Sequence, residues 1–554
     1  MKKKAQIGGM TLALCGMVLA HFGAAEARQS AGDGPGFKIA GTAVNAITGA
    51  PLAGARVTLA DTRIRARMIG VVTGASGHFE FARVPEGKYS LQGARRGYIS
   101  AAYEQHEQYS TAIVTGPDYA TENLVLKLTP TAMITGHVTD ESGEPIRGAS
   151  VGLFREDHNG GMTRIERVNN ATCDDRGYYE FSLLRPGTYF VSVHAKPWFA
   201  IHPSTAAETP GNSTPRVLPG LDVTYPTTYY GGATESERAT PIAVNGGDRV
   251  EIDVRLNPVP ALHIIFRVPE GPAGEPARFQ PPVLEKHNFD SREFVPTNTH
   301  MDVPGVYELT GVPQGKYTLR FSDPNTGQMA ESGDVELMRD GQEVSESQGE
   351  PLGSVKVTAK MPAEEPLPKQ YAMGLQNAKG RVIAYLPGNA TGEAAFWGIV
   401  PGKYSLLCVT QEKRYAVVRT SSAAGATDGH EVNVTAGAEL ELTAWLAAGV
   451  VSVEGSVQKN GKPVAGVMVA LLPNDPQSHL EYFRRDQSDF DGTFTLQNVF
   501  PGTYTIVALE DAWGFDWLQS GALARYVQHG QNVIVGAMLR GMVHLPEAVE
   551  VQGR

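Results

Sequence analysis

From Asp486 to Leu509 the chain alternates apolar and polar residues with period two around two sharp turns: D-Q-S-D-F-D-G-T-F-T-L-Q-N-V-F-P-G-T-Y-T-I-V-A-L. A polar turn at Asp489 to Gly492 leads into a strand with Phe494 and Leu496 on one side. A turn at Pro501-Gly502 leads into a second strand carrying Tyr504, Ile506 and Val507. Such alternation between Gly- and Pro-marked turns predicts a β-hairpin with one buried face.

The hairpin recurs. Its P-(x)-G-[KT]-Y turn appears at Pro85 to Tyr89, Pro186 to Tyr189, Pro313 to Tyr317, Pro401 to Tyr404 and Pro501 to Tyr504. The tyrosines are separated by 100, 128, 87 and 100 residues. That period is the length of a β-sandwich domain. In each turn Pro presets φ and Gly is expected to take a positive-φ position. The Tyr should bury its ring and direct its hydroxyl to a backbone carbonyl, like a tyrosine corner.

Further strands repeat around the hairpins. The first copy reads F-K-I-A-G-T-A-V from Phe37, P-L-A-G-A-R-V-T-L over 51–59 and a closing L-V-L-K-L over 124–128. The second repeats these as I-T-G-H-V, G-E-P-I-R-G-A-S-V and V-E-I-D-V-R-L, with extra sequence over 196–244. The fifth has V-E-G-S-V, G-K-P-V-A-G-V-M-V and a closing strand read at Asn532 to Leu539, while the third and fourth keep mainly the hairpin. The expected units are 37–128, 131–257, 260–349, 351–447 and 449–545, joined by short linkers such as Leu128-Thr129-Pro130.

The string G-x-V-x-D-x-x-G-x-P-[LIV]-x-G-A-x-V … G-x-[FY]-x-F-x-x-[LV]-x-P-G-x-Y resembles the carboxypeptidase regulatory-like domain family. Copies one, two and five carry it well. The resemblance implies an all-β chain of about five transthyretin-like, Greek-key (Ig-like) β-sandwiches, a fold shared with collagen-adhesin B-type repeats and starch-binding-like domains. Because such domains are attached to peptidases, receptors and adhesins alike, it implies fold more than activity.

The first 27 residues follow another pattern. Lys2, Lys3 and Lys4 precede an apolar run from about Met10 to Leu19, and Ala25-Glu26-Ala27 offers a cleavage site. This predicts a signal peptide removed after Ala27, hence export to the periplasm, cell surface or medium. No later apolar run is long enough to span a bilayer, so no integral membrane segment is expected after cleavage. A net charge of −11, from 59 acidic and 48 basic residues, disfavours nucleic-acid partners. Cys173 and Cys408 fall in different units and alternate with apolar neighbours, so both are read as buried thiols.

Candidate chemistry is sparse. His544-Leu545-Pro546-Glu547 has the H-x-x-E spacing of a zinc peptidase, but a proline interrupts it. No H-E-x-x-H, G-x-S-x-G or P-loop occurs, so no catalytic residue, metal site or cofactor is assigned. Asp489-Phe490-Asp491-Gly492, and Asp174-Asp175 with Gly177, resemble the start of a calcium loop but lack its remaining ligands and read as turns. By analogy with adhesin B-type repeats, Lys38, Glu80 and Asn123 would be the trio for an intramolecular Lys38–Asn123 isopeptide.

Loop aromatics remain as binding candidates. Trp513, Phe515, Asp516 and Trp517 follow the fifth hairpin, Trp198 follows the second, and Tyr229 and Tyr230 lie in the extra sequence of the second copy. Aromatics beside carboxylates suit stacking on sugar rings with hydrogen bonds to hydroxyls. The alternative is that these rings pack between domains. The expected function is an exported, non-catalytic envelope binding protein, with polysaccharide as the first ligand class. The alternatives are an adhesin-like spacer contacting envelope proteins, or an accessory module of an envelope peptidase or receptor.

Overall fold

A computed structural model of the chain describes residues 36–64, 68–158, 161–202, 219–267 and 282–553, the last with short interruptions. Residues 1–27, where a signal peptide is expected, lie outside the described residues. Strands dominate, and among the described residues each of the five hairpins centres one hydrophobic core, with a sixth cluster, including Met468, Leu472, Trp517 and Tyr526, on the outer face of the fifth hairpin.

One topology recurs. The opening strand pairs antiparallel with the first hairpin strand and parallel with the closing strand, as Phe37–Asn45 does with His78–Val84 and Leu124–Leu128. The same three-strand arrangement is built by Ala132–Thr139, Leu262–Arg267, Gly353–Lys360 and Val451–Lys459. The second hairpin strand belongs to a facing sheet, where Gly87–Ala94 pairs with Arg56–Asp61. Two sheets thus enclose each of the first four cores, the tandem β-sandwich architecture expected from the alternation. In the fifth copy Val549–Gln552 pairs with strands of both layers and joins them into one sheet.

The fifth closing strand differs from the expected one. Gln531–Val535 pairs antiparallel with the second hairpin strand. The parallel partners of the opening strand are Gly541–His544 and Val549–Gln552, so this unit continues past residue 545. Both segments alternate, and alternation does not tell which neighbour a strand will choose.

The tyrosine corner forms in all five copies. Each hydroxyl donates to the carbonyl four residues earlier: Tyr89 to Pro85 at 3.0 Å, Tyr189 to Arg185 at 2.7 Å and Tyr317 to Pro313 at 2.7 Å. Tyr404 reaches Val400 at 2.6 Å and Tyr504 reaches Phe500 at 2.8 Å. Six residues before each Tyr the backbone is left-handed: Arg83 (φ 56°), Leu183 (φ 59°), Gly311 (φ 80°), Gly398 (φ 67°) and Asn498 (φ 57°). There the opening strand slips register, a β-bulge. The bulge returns the next residue (Val84, Leu184, Val312, Ile399 or Val499) to the core. At Leu183 and Arg83 the left-handed turn costs about 1 kcal/mol, which the buried neighbour and the tyrosine bond offset.

The turn glycine is therefore not the positive-φ element in every copy. Gly87 and Gly187 take the expected positive φ, at 159° and 153°, but the turn glycines of the other three copies do not. Instead each of Gly87, Gly315, Gly402 and Gly502 lies against the ring of the Tyr two residues on; a Cβ there would sit 3.3–3.6 Å from it.

The units pack on one another. The second touches all four others. Thr131 N–H donates to Gly97 O of the first at 3.0 Å, and Phe289 of the third lies among Phe154, Phe190 and Tyr229. Arg164 donates to Gly380 O of the fourth at 2.7 Å, and Thr163 to Asp516 of the fifth at 2.7 Å. The ends also meet. Arg485 of the fifth unit donates two bonds to Glu107 of the first, at 3.1 and 2.7 Å. Ala112 N–H donates to Asp489, Phe490 N–H to Ala112 O, and the Phe490 ring packs on the first core. The five copies form a closed array.

Candidate functional site

The structure separates the loop aromatics into packing and exposed groups. Trp517 is 4 % exposed, stacked on Phe483 at 4.1 Å and under the Arg485 guanidinium at 4.8 Å. Its ring also covers Gly161 of the second unit so closely that a Cβ there would lie 2.2 Å away. Trp513 stacks on His106 of the first unit at 5.0 Å, and Asp516 accepts from Thr163. Phe515 lies outside the described residues. The expected sugar platform of the fifth copy is thus turned into interdomain packing: apolar faces at the junction of three units gain more from contact than from water. Tyr229 is fully buried and donates to Asn288 at 2.7 Å, and Tyr230 packs against the second core. Neither offers a free ring face.

Trp198 is the exception. It is 90 % exposed and meets Phe199 edge-on at 5.8 Å. Two residues earlier Lys196 lines an open cleft between the second and third units, and four residues later so does His202. The other walls come from Thr224 and Tyr225 of the second unit and from Lys286, Thr310 and Tyr317 of the third. A second cleft shares His194, Thr227, Lys286 and Val295 with it and adds Arg167, Asn288 and Glu293. Both lie in the groove between the two units, whose surface mixes polar and apolar groups.

A chain of carboxylates and imidazoles fixes the rim. His202 Nδ1 lies 2.9 Å from Asp222, whose other oxygen is 3.3 Å from His263 Nε2. His263 Nδ1 is 2.9 Å from Asp340. Lys286 is held by Thr234 O at 2.8 Å and by Glu235 at 3.1 Å. Burial, and then Lys196 nearby, push the His194 imidazole below its ordinary pKa, which leaves it a neutral group at pH 7. Sequence reasoning missed Lys286, Asn288 and Thr310 because they stand in the degenerate third copy, where the family string is lost.

The remaining candidates resolve into structure. In the D-F-D-G turn, Asp489 takes the Lys88 ammonium at 2.6 Å and Asp491 accepts from Thr493 N–H at 3.0 Å, so its carboxylates serve the turn and the contact with the first unit. Asp174 accepts from the backbone of Arg176 and Tyr178, both at 2.9 Å. Lys38 pairs with Glu80 at 3.0 Å and with Glu122 at 3.6 Å on a solvent-facing edge, and Asn123 is exposed. The isopeptide geometry is not met, since that reaction needs lysine and asparagine in contact beside a buried acid. Among the described residues one group has ligand atoms close enough for a metal, His137, Glu251 and Asp253. There Asp253 accepts the His137 backbone N–H at 2.8 Å, where the closing strand breaks, and this accounts for its position. His544 lies against Glu454 at 3.5 Å.

Asp486 gives the array a pH dependence. It is largely buried at the contact of the first and last units, accepts from Thr495 and Gln487 N–H, and burial pushes its pKa up to about 6 from an ordinary 3.8. Burial also raises Asp489, against the opposing pull of Lys88. A carboxyl that binds its proton more tightly when folded adds stability as pH falls through about 6 towards 4, and loses it above. The fifth unit should be about 1 kcal/mol more stable at pH 5 than at pH 7.5. Denaturant midpoints at both pH values, with Asp486→Asn as comparison, check this; an Asp486→Asn protein with the same pH slope would refute it.

Residues 38–123 and 133–214 match the carboxypeptidase regulatory-like domain. Residues 448–533 match the second beta sandwich domain of the BOS complex subunit NOMO1-like family. The first two units are thus similar to the carboxypeptidase regulatory-like domain, and most of the fifth is similar to the NOMO1-like sandwich. Among solved structures, the Bacillus anthracis TIE protein is 12% identical over 74% of each chain, with a TM-score of 0.17. The minor pilin of Streptococcus agalactiae is 12% identical over 40% of this chain and 96% of its own, TM-score 0.21. Two B repeat units of the collagen binding protein of Staphylococcus aureus are 12% identical over 74% of this chain and 99% of theirs, TM-score 0.13. No curated protein matches the chain. Among the described residues no helix is long and apolar enough to cross a membrane.

Proposed function

We propose that this is an exported, non-catalytic binding protein of the cell envelope, and that it holds a carbohydrate in the groove between its second and third units. The observation that carries the reading is Trp198: a ring 90 % exposed, on the segment that also supplies Lys196 and His202 to the cleft. An exposed indole beside a cleft of mixed polar and apolar surface suits a sugar, whose C–H face stacks and whose hydroxyls seek donors and acceptors. A signal peptide over 1–27 would deliver the chain to such ligands.

A purely extended spacer is disfavoured by the contact of first and last units. A protein-binding role, as scaffold or accessory module, draws support from the fourth unit, where Tyr385 and Trp397 are 69 % and 73 % exposed. A screen of glycans and cell-wall polysaccharides on residues 28–554 separates the two. Trp198→Ala should weaken binding about tenfold, the loss of roughly 1.4 kcal/mol of stacking. Trp513→Ala, at the interdomain contact, should leave it. Binding lost in Trp513→Ala but kept in Trp198→Ala would move the site to the fifth unit. No glycan binding at all would favour the protein partner.

A further inference from the structure

The groove contains polar groups that the fold leaves without partners. Thr310, at the wall of the first cleft, has a fully buried hydroxyl with no hydrogen-bond partner among the described residues. Asn288, at the wall of the second cleft, is 2 % exposed; its carbonyl accepts from Tyr229, yet its Nδ2 donates to nothing among the described residues. Leaving such groups dry is a cost a fold avoids unless something else satisfies them.

The charge of the groove points the same way. In a chain of net charge −11, its lining includes Lys196, Lys286 and Arg167 against the single carboxylate of Glu293. Arg167 is tied to Glu293, and Lys286 spends two of its three hydrogens on Thr234 and Glu235. Lys196 is exposed and no ion pair to it is found among the described residues. Among the described residues its charge is thus left without a partner, at the wall of a cleft that concentrates the field.

The geometry points to a saccharide bearing an anionic group, carboxylate or sulfate, as the ligand of this groove: Lys196 meets the anion, while Thr310 and Asn288 take up the ring oxygens. This rests on the carbohydrate reading and narrows it. The test uses the full chain from residue 28 with three probes: oligogalacturonate (carboxylated), a heparin-derived oligosaccharide (sulfated) and maltoheptaose (neutral). At least one anionic probe should bind more than tenfold tighter than the neutral one and weaken more than fivefold on raising NaCl from 50 to 500 mM, as an ion contact requires. Lys196→Glu, a surface change that spares the cores, should cost that probe tenfold or more. Thr310→Val should cost it severalfold while the melting temperature holds or rises, because the variant removes an unsatisfied buried hydroxyl; a hydroxyl with a hidden structural bond would lower it instead. Which anionic probe binds decides between carboxylate and sulfate. Equal binding of maltoheptaose with no effect of Lys196→Glu would overturn the anionic inference and leave the carbohydrate reading standing. Absence of binding by all three would overturn both.

Discussion

Arg485→Ala should separate the ends of the array while its five domains stay folded. The guanidinium makes a two-pronged bond to Glu107, at 3.1 and 2.7 Å, and lies over the rings of Trp517 and Tyr109 at 4.8 and 5.4 Å. Both charged side chains are nearly dry, 5 % and 8 % exposed. Truncating one partner leaves Glu107 buried and uncompensated, a loss of about 3–5 kcal/mol. The surface pairs between units, which are screened and mobile, are worth far less each. The loss falls on the contact between copies one and five, not on their cores, which draw on separate residues. Small-angle scattering should then show a larger radius of gyration with unchanged circular dichroism. The double variant Arg485→Met/Glu107→Leu should regain the closed form, because an apolar pair of similar volume removes the stranded charge. An unchanged radius in Arg485→Ala would mean that Lys88–Asp489 and the Ala112 backbone bonds hold the ends without it.

This closure is the feature least visible in the sequence. What was legible was whatever repeats: the P-G-x-Y hairpin, the alternating strands and the tyrosine corner recur because each sandwich must solve the same packing problem locally. The bulge was hidden, since its left-handed position is Gly in copies three and four but Arg, Leu and Asn elsewhere, and no side-chain pattern marks it. The candidate site was half legible. Trp198 could be named as a loop aromatic, but its exposure could not be told from that of Trp517, because both follow a hairpin in sequence. Which of them meets water depends on contacts between residues several hundred positions apart, such as Gly161 with Trp517. Lys286, Asn288 and Thr310 acquire meaning only when the third unit docks on the second.

Closure also changes what the repeats are for. Beads joined by short linkers present loops at both ends of every domain. Here the loops after the first and fifth hairpins face each other, and the second unit touches all its neighbours. In the proposed reading the surface for a ligand is then a junction, the groove between units two and three, and bracing by the other contacts would hold its walls in place.

The second unit is the brace, and one glycine shows how narrowly it is built. Gly136→Ala should cost about 3 kcal/mol or more, at the upper end of overpacking. A Cβ there would stand 1.8 Å from the carbonyl oxygen of Ile252 and 3.0 Å from the Tyr179 hydroxyl, which itself bonds that oxygen at 2.5 Å. The neighbour is backbone, pinned by the parallel pairing of Arg249–Glu251 and Val254–Arg255 with the opening strand, so it cannot swing aside. The first copy repeats the constraint, with Gly41 at 2.1 Å from Leu124 O, whereas Gly455 of the fifth meets side chains, the Phe494 ring at 2.8 Å and Leu545 at 3.1 Å. Calorimetry should resolve a transition for the second unit lowered by roughly 10–20 °C in Gly136→Ala. Gly220→Ala, with open space around its Cβ, should leave it in place. A shift of under about 2 °C would show that the closing strand can move away, since 1 kcal/mol in a domain of this size moves the midpoint by about 4–8 °C. Because units one, three, four and five all rest on the second, its loss should also open the contact between Arg485 and Glu107. The radius of gyration of Gly136→Ala, measured above its lowered transition, should therefore exceed that of Arg485→Ala, which frees one contact and leaves the brace intact.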